Sequence, residues 1–289
     1  MKGMDMQLRK MKFTKMHGIS NDYIYINCFE ERVENPSDLA VRMSNRHTGV
    51  GSDGIVLIMP SDNCDFRMRM FNSDGSEAEM CGNASRCVGK YVYDNGLTKK
   101  NKITLETLAG KKVLDLYVLD GKVMMVTVDM GEPILEASLI PTSLNSSSVI
   151  KFPMEVLNRK YFVNCLSMGN PHCVLFMDGV DSLDIAKVGP AFESHPLFPK
   201  KTNTEFIEVL GKNSLRMRVW ERGAGETMAC GTGACASVVA AVLNGYCDGK
   251  TIVSLKGGDL DIEWNRSNNH VYMTGPATTV FEGFYEVCE

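Results

Sequence analysis

Two stretches carry the reading of this chain: Arg67–Cys87, RMRMFNSDGSEAEMCGNASRC, and Arg216–Ala236, RMRVWERGAGETMACGTGACA. They are copies. Arg67 and Arg216, Glu77 and Glu226, and Cys81 and Cys230 each stand 149 residues apart, without a gap. Each copy opens as a strand-like alternation, passes through a Gly/Glu loop, and reaches Cys-Gly where helical spacing begins. The same offset relates Asn21 to Asn170, Gly54 to Asn203, and the helix stop Asn95-Gly96 to Asn244-Gly245. The best-kept positions are loop residues (Gly, Asn, Glu, Cys) rather than core residues. That favours a duplicated site over a merely duplicated scaffold.

Working outward, each half repeats one plan. The first half offers strands at Phe13–Met16 and Tyr23–Cys28 around the turn HGISND (His17–Asp22). A helix follows from Pro36-Ser37 to about Arg46, with Leu39, Ala40 and Met43 inward, then strands at Ile55–Met59 and Phe66–Phe71. After Cys81, a helix places Ala84, Cys87, Val88, Tyr91 and Val92 on one face. Three strands follow, Lys102–Thr107, Lys112–Leu119 and Lys122–Asp129, the last two joined by the hairpin dipeptide Asp120-Gly121. MGEP at Met130–Pro133, with loop-like residues to about Val149, reads as the domain boundary. The second half repeats the order, with a helix from Ser182 to about Ser194 expected to break at Pro190. The helix after Cys230 is apolar nearly all round and therefore buried. A last strand, Val280–Val287, has no counterpart at the end of the first half and is expected to return to it.

These elements predict an α+β chain of two similar domains. Each is a barrel-like, mostly antiparallel sheet around a central helix, with the active site in the cleft between them. The expected boundaries are 1–130 with 276–289 for the first domain and 131–275 for the second.

Composition narrows the function. The 289 residues are 44% hydrophobic and 23% charged, with net charge −4, which gives no support for a nucleic-acid or anionic-membrane partner. No apolar run has the length of a membrane span. The basic N-terminus lacks an apolar h-region, so no signal peptide is expected, and residues 1–10 read as an extension before Met11. Ten cysteines without an export signal indicate reduced thiols in a cytoplasmic protein. They show no CxxC spacing and no histidine at ligand spacing, so no metal is expected.

Most of these cysteines read as buried small hydrophobes: Cys28, Cys64, Cys165, Cys247 and Cys288 in the body, Cys87 and Cys235 inside helices. Cys81 and Cys230 differ. The first turn of a helix leaves N–H groups unpaired and favours negative charge, so a cysteine there is expected to have a depressed pKa. Gly82-Asn83 and Gly231-Thr232 can then present N–H groups to a carboxylate. Two such thiols acting on one substrate form a two-base site: one sulfur removes a proton from carbon and the other delivers one to the opposite face. Both helix starts would stabilise the charge that develops on the substrate. His172, after the turn Gly169–Pro171, corresponds to Tyr23 and sits near this site. Glu221-Arg222 ends a strand where the first half has Asn72-Ser73, and could hold an amino acid's charged groups.

At these residues the chain resembles the diaminopimelate epimerases, from Met11 onward. The resemblance rests on HGISND, RHTGVGSDG, FNSDGSEAEMCGNASRC, SMGNPHCV and WERGAGETMACGTGACA. It implies a pyridoxal-phosphate-independent isomerase of the EC 5.1.1.7 type, needing no cofactor. Such an enzyme interconverts LL- and meso-2,6-diaminopimelate on the route to lysine and peptidoglycan. By motif, Cys81 and Cys230 correspond to the acid/base pair, and His172 and Glu221 to residues that tune the thiols. Asn21, Asn72, Asn170, Asn203, Glu221 and Arg222 correspond to substrate-binding positions, and Gly82, Asn83, Gly231 and Thr232 to the carboxylate-binding helix starts. A homodimer fits the family. Two positions depart from its pattern: Ser20 replaces the second glycine of HGxGND, and Gly54 stands where some members have glutamine.

Rival readings are weaker. A proline-racemase-like enzyme shares the chemistry but has no use for the Glu221-Arg222 pair. A redox or metal protein needs ligand spacings that are absent, and a non-catalytic binding module would tolerate serine at both cysteines.

Overall fold

The computed structural model describes residues 8–288, and the extension read at residues 1–10 lies mostly outside them. The chain divides into two units. The first runs through Val126 and resumes from Pro276 to the end; the second is Thr127–Gly275.

In the first unit the strands are β1 (Leu8–Gly18), β2 (Asn21–Asn27), β3 (Gly54–Met59), β4 (Phe66–Asn72), the two-residue β5 (Glu77–Ala78), β6 (Lys102–Thr107), β7 (Gly110–Leu119) and the start of β8 (Lys122–Gly131). Helix α1 (Pro36–Ser44) follows β2, and α2 (Gly82–Asp94) follows β5. The second unit holds β9 (Val149–Val156), β10 (Arg159–Ser167), β11 (Pro171–Phe176), α3 (Ile185–Glu193), β12 (Asn203–Gly211), β13 (Ser214–Glu221) and β14 (Gly225–Glu226). It continues with α4 (Gly231–Leu243), β15 (Lys250–Leu255), β16 (Gly258–Trp264) and β17 (Val271–Pro276). The final strand, β18 (Thr278–Cys288), lies in the first unit.

The duplication holds at the level of elements. Both helix pairs, α1/α3 and α2/α4, keep the 149-residue offset at each end. Parallel pairings recur in the same places: β2 with β3 and β4 with β6 in the first unit, β11 with β12 and β13 with β15 in the second.

The last strand has a counterpart after all. β18 pairs antiparallel with β1, and β9 pairs antiparallel with β10 in the same way. Each of the two pairings carries a register shift at the same place, Lys15/Met16 and Val163/Cys165. The first unit thus receives from the C-terminus the strand that the second unit carries at its own start. The sequence reading missed β9, because VIKFPMEV contains a proline and exposed polar positions typical of an edge.

Sheet residues alternate between two helical layers. Ile24, Ile26, Ile55 and Leu57 join Leu39, Ala40 and Met43 of α1 in one buried cluster. The intervening residues face α2, where Tyr25 Oη reaches Ala84 O at 3.5 Å. Both faces are covered, so these strands read as nearly continuous apolar runs. Helix α2 packs on β1, β2 and β7, and α4 on β10, β11, β12, β15 and β16. A helix touched by strands from both ends of a unit is one around which the sheet wraps.

Local expectations need three corrections. Helix α1 is capped by Asn35, whose side chain accepts from Asp38 N, and Pro36 takes the first helical position. Helix α3 does not break at Pro190. Its nine residues run through the proline, capped by Asp184. Cys28 and Cys64 are only partly buried, whereas Cys87, Cys165, Cys235 and Cys247 are core. The side chain of Cys288 lies outside the described residues.

Candidate active-site residues

In the first unit, Cys81 is the N-cap of α2, with extended backbone (φ −136°, ψ 122°). Its side chain makes no capping bond, so the sulfur is not committed to the helix. The Cys81 thiol lies 3.4 Å from Asn21 Oδ1, and Asn83 Nδ2 donates to the same oxygen at 3.3 Å. Asn21 opens β2 directly after the turn Ile19-Ser20, where both residues have positive φ (47° and 70°). Ser20 therefore holds a left-handed conformation that glycine adopts without strain. That turn aims Asn21 at the helix start.

The amide is held from behind. Asn21 Nδ2 donates to Asp53 Oδ2 at 2.8 Å, and Asp22 N donates to the same oxygen at 3.1 Å. Arg46 pairs with both Asp22 and Asp53, and Lys15 with Asp22. Burial, then the Asp22 charge, pushes Asp53 up. Burial also pushes Asp22 upward, but the hydrogen bonds from Arg46 and Lys15 hold it below its ordinary value.

Another predicted position, Asn72, lies on β4. It ends that strand opposite Gly54, and its amide donates to Ser76 Oγ at 3.0 Å. A Cβ on Gly54 would lie 2.1 Å from Phe71 O, so a side chain there would force β3 or β4 to shift.

In the second unit, Cys230 caps α4 with the same backbone (φ −124°, ψ 107°) and again no side-chain capping bond. It is only 5% exposed, while Cys81 is half-buried. A chain of contacts leads to its sulfur. Glu205 and His172 Nδ1 are 2.7 Å apart, His172 Nε2 and Asn170 Oδ1 2.9 Å, and Asn170 Nδ2 donates to Thr232 Oγ1 at 3.2 Å. Thr232 Oγ1 lies 3.6 Å from Cys230 Sγ. Parallel pairing of β11 with β12 sets His172 opposite Asn203, which leaves Glu205 on the same face two residues on.

The Glu221-Arg222 corner is fixed by backbone contacts. Asn203 Nδ2 donates to Pro171 O at 3.0 Å, and Asn203 Oδ1 accepts from Arg222 N at 2.9 Å. The Arg222 guanidinium is exposed and reaches Lys200 O at 3.3 Å. Glu221 accepts from Thr227 Oγ1, and its carboxyl and the Cys230 thiol influence each other's ionisation. Burial is the main cause that raises its carboxyl.

The expected low thiol pKa does not hold at Cys230. Burial, then the charges of Glu221 and Glu205, push it well above the ordinary value, against the Thr232 hydroxyl and the Gly233 N–H. The helix start favours the thiolate, but loss of water around the sulfur outweighs it. Among the described residues there is no cluster of three or more metal-ligating side chains.

Sequence reading overlooked Asp53 and Glu205. Asp53 was visible in GVGSDG, but its partner Asn21 is 32 residues away. Glu205 corresponds at the 149-residue offset to Val56, and an acid replacing a core valine was the signal available.

The sequence profile of the diaminopimelate epimerases matches residues 13–136 and 164–280, one segment in each half. A diaminopimelate epimerase of Acetivibrio thermocellus is 62% identical over 279 residues, covering 96% of this chain and all of that one. One from Methanococcus maripaludis is 58% identical over 277 residues, again 96% of this chain and all of its own. This chain belongs to the diaminopimelate epimerase family. As a family member it is an amino-acid epimerase in class. Its fold reaches further than the family. A hydroxyproline epimerase from Agrobacterium vitis superposes with TM-score 0.69 at 13% identity, covering 99% of this chain and 93% of that one. A phenazine-biosynthesis PhzF-family protein from Bacillus anthracis gives 0.67 at 16%, covering 96% and 99%. At such identities the fold alone is shared.

Proposed function

We propose that this chain interconverts LL- and meso-2,6-diaminopimelate, with Cys81 and Cys230 as the two acid/base groups. The observation that carries this reading is full-length similarity at 62% to a diaminopimelate epimerase, with a cysteine-capped helix start in each half. In one direction, one thiolate takes the α-proton: the C–H bond breaks, an S–H bond forms, and the electron pair moves toward the carboxylate. The other thiol gives its proton to the opposite face of the same carbon and becomes the thiolate. The peptide N–H groups of Gly82-Asn83 and Gly231-Thr232 oppose the negative charge that develops. These transfers draw on side chains alone.

Asn21, Asn72, Asn170, Asn203, Glu221 and Arg222 bind the substrate in this reading, with Glu221 and Arg222 taking its far amino-acid head group. His172 and Glu221 tune the thiols. The two units serve as two epimerase domains, the final strand β18 belonging to the first. The setting is the cytoplasm, and the assembly a homodimer; none of the described helices is long and apolar enough to cross a membrane.

The test is an assay in deuterated buffer with LL-diaminopimelate and, separately, with proline. Deuterium should enter the inverted α-carbon of diaminopimelate, and proline should be left alone. Inverted product retaining only its original proton would exclude two-base inversion, and turnover of proline instead would replace the substrate.

A further inference from the structure

Glu205 lies on β12 beneath α4 and has no acidic counterpart in the first unit. The first unit has Val56 at its place. Glu205 and His172 are both fully buried, and Glu205 Oε2 has no hydrogen-bond partner. The helix makes room for the carboxylate: a Cβ on Gly233 would lie 2.7 Å from Glu205 Oε1. A buried acid with one bare oxygen is costly unless it serves a purpose or is neutralised.

The direction of the hydrogen bonds gives that purpose. His172 Nε2 faces Asn170 Oδ1, which can only accept, so Nε2 carries a proton. Nδ1 and Glu205 Oε1, 2.7 Å apart, then share one further proton. With its oxygen engaged by His172, Asn170 turns its NH2 to Thr232 Oγ1. Because Thr232 Oγ1 accepts that bond, its own proton is left for the Cys230 sulfur, 3.6 Å away. A reversed Asn170 amide would take the hydroxyl proton for itself.

We propose that Glu205 is a positioning residue. Paired with His172, it locks the Asn170 amide in the orientation that aims the Thr232 hydroxyl at the Cys230 sulfur and so favours the thiolate. This rests on the reading of Cys230 as a reactive thiol, but its test does not require turnover. The first unit holds its asparagine amide differently. There Asp53 holds Asn21 directly, and the amide oxygen faces Cys81 as an acceptor.

Among the described residues, Glu221 from β13 and Glu205 from β12 act on Cys230, and His172 from β11 acts on Glu221. A purely electrostatic role for Glu205 has the opposite sign to the relay. A buried negative charge raises the thiol, so its removal would lower the pH at which Cys230 ionises.

The experiment measures iodoacetamide alkylation of Cys230 against pH, resolved by peptide mass spectrometry, in the full-length protein. Glu205→Val should raise the Cys230 midpoint by about one pH unit, a tenfold slower reaction at a fixed pH below it, as expected for one lost hydrogen bond to the sulfur. Glu205→Gln should leave the midpoint in place, because its amide can donate to Nδ1 and keep the proton on Nε2. A lowered midpoint in either variant would assign Glu205 a charge role and overturn the relay, as would an unmoved midpoint in Glu205→Val. Should Glu205→Val fail to fold, Thr232→Val decides: it removes the hydroxyl at nearly constant shape, and an unchanged midpoint there overturns the proposal. Failure of the functional reading is separate, since it appears as epimerisation surviving Cys230→Ala.

Discussion

Asn21 Oδ1 stands 3.4 Å from the Cys81 sulfur, and Asp53, accepting from the other end of the amide, holds that oxygen toward it together with the Asn83 donor. An asparagine amide has two nearly isosteric ends, and Asp53 selects between them. Asp53→Ala should let the amide reverse and place an N–H donor against the thiol. We expect kcat/KM for diaminopimelate to fall about tenfold, the equivalent of one misdirected hydrogen bond, with kcat carrying most of the loss. Wild-type kcat in Asp53→Ala would show that Asn21 is oriented by something else.

Cys81→Ala and Cys230→Ala should each lose at least about 10²-fold in epimerisation, the usual share of a positioned acid or base. Neither thiol caps its helix, so both variants should keep the wild-type circular dichroism. Substantial activity in either one would rule out the two-thiol mechanism.

Gly54→Ala tests the close approach of β3 to β4. The added Cβ meets the Phe71 carbonyl at 2.1 Å, and the strand must shift to admit it. A loss of about 1–3 kcal/mol in urea unfolding is expected, the range for overpacking a dense interior. A variant as stable as the wild type would mean that the strands separate freely.

Cys87 sets an alkaline limit on stability. Its side chain is fully buried, and burial pushes the thiol up to about 11. In the unfolded chain the same thiol ionises near the ordinary value of 9.0. Between these two values the unfolded state has released a proton that the folded state still holds. Stability therefore falls as pH rises from 9 to 11, by about 1.4 kcal/mol per pH unit for this thiol. Cys87→Ala should reduce the slope of unfolding free energy against pH by that amount, whatever it does to stability at pH 7. Equal slopes would show that the folded thiol ionises normally.

Much of the fold was legible because it is local. The alternation of Phe66–Phe71, the apolar stripe after Cys81 and the Asn-Gly stops at 95–96 and 244–245 depend on neighbours within a few residues. The 149-residue repeat then transferred each element to the other half. What failed to show was of another kind. β9 carries Pro153 within it, and β18 finds β1 from the far end of the chain. Helix α3 runs through Pro190 while packed on β12, β13 and β14.

The site divides the same way. Sequence alone determined that two cysteines begin two matched helices, since residue identity and helical spacing are properties of the chain in order. Tertiary structure decided what surrounds each sulfur. Asp53 meets Asn21 across 32 residues, and Glu205 meets His172 across 33. Both meetings follow from parallel strand registers that no local pattern encodes. The ionisation of Cys230 was likewise decided in space. A helix start lowers a thiol's pKa wherever water remains; burial beside Glu221 raises it, and only the folded chain determines which effect is larger.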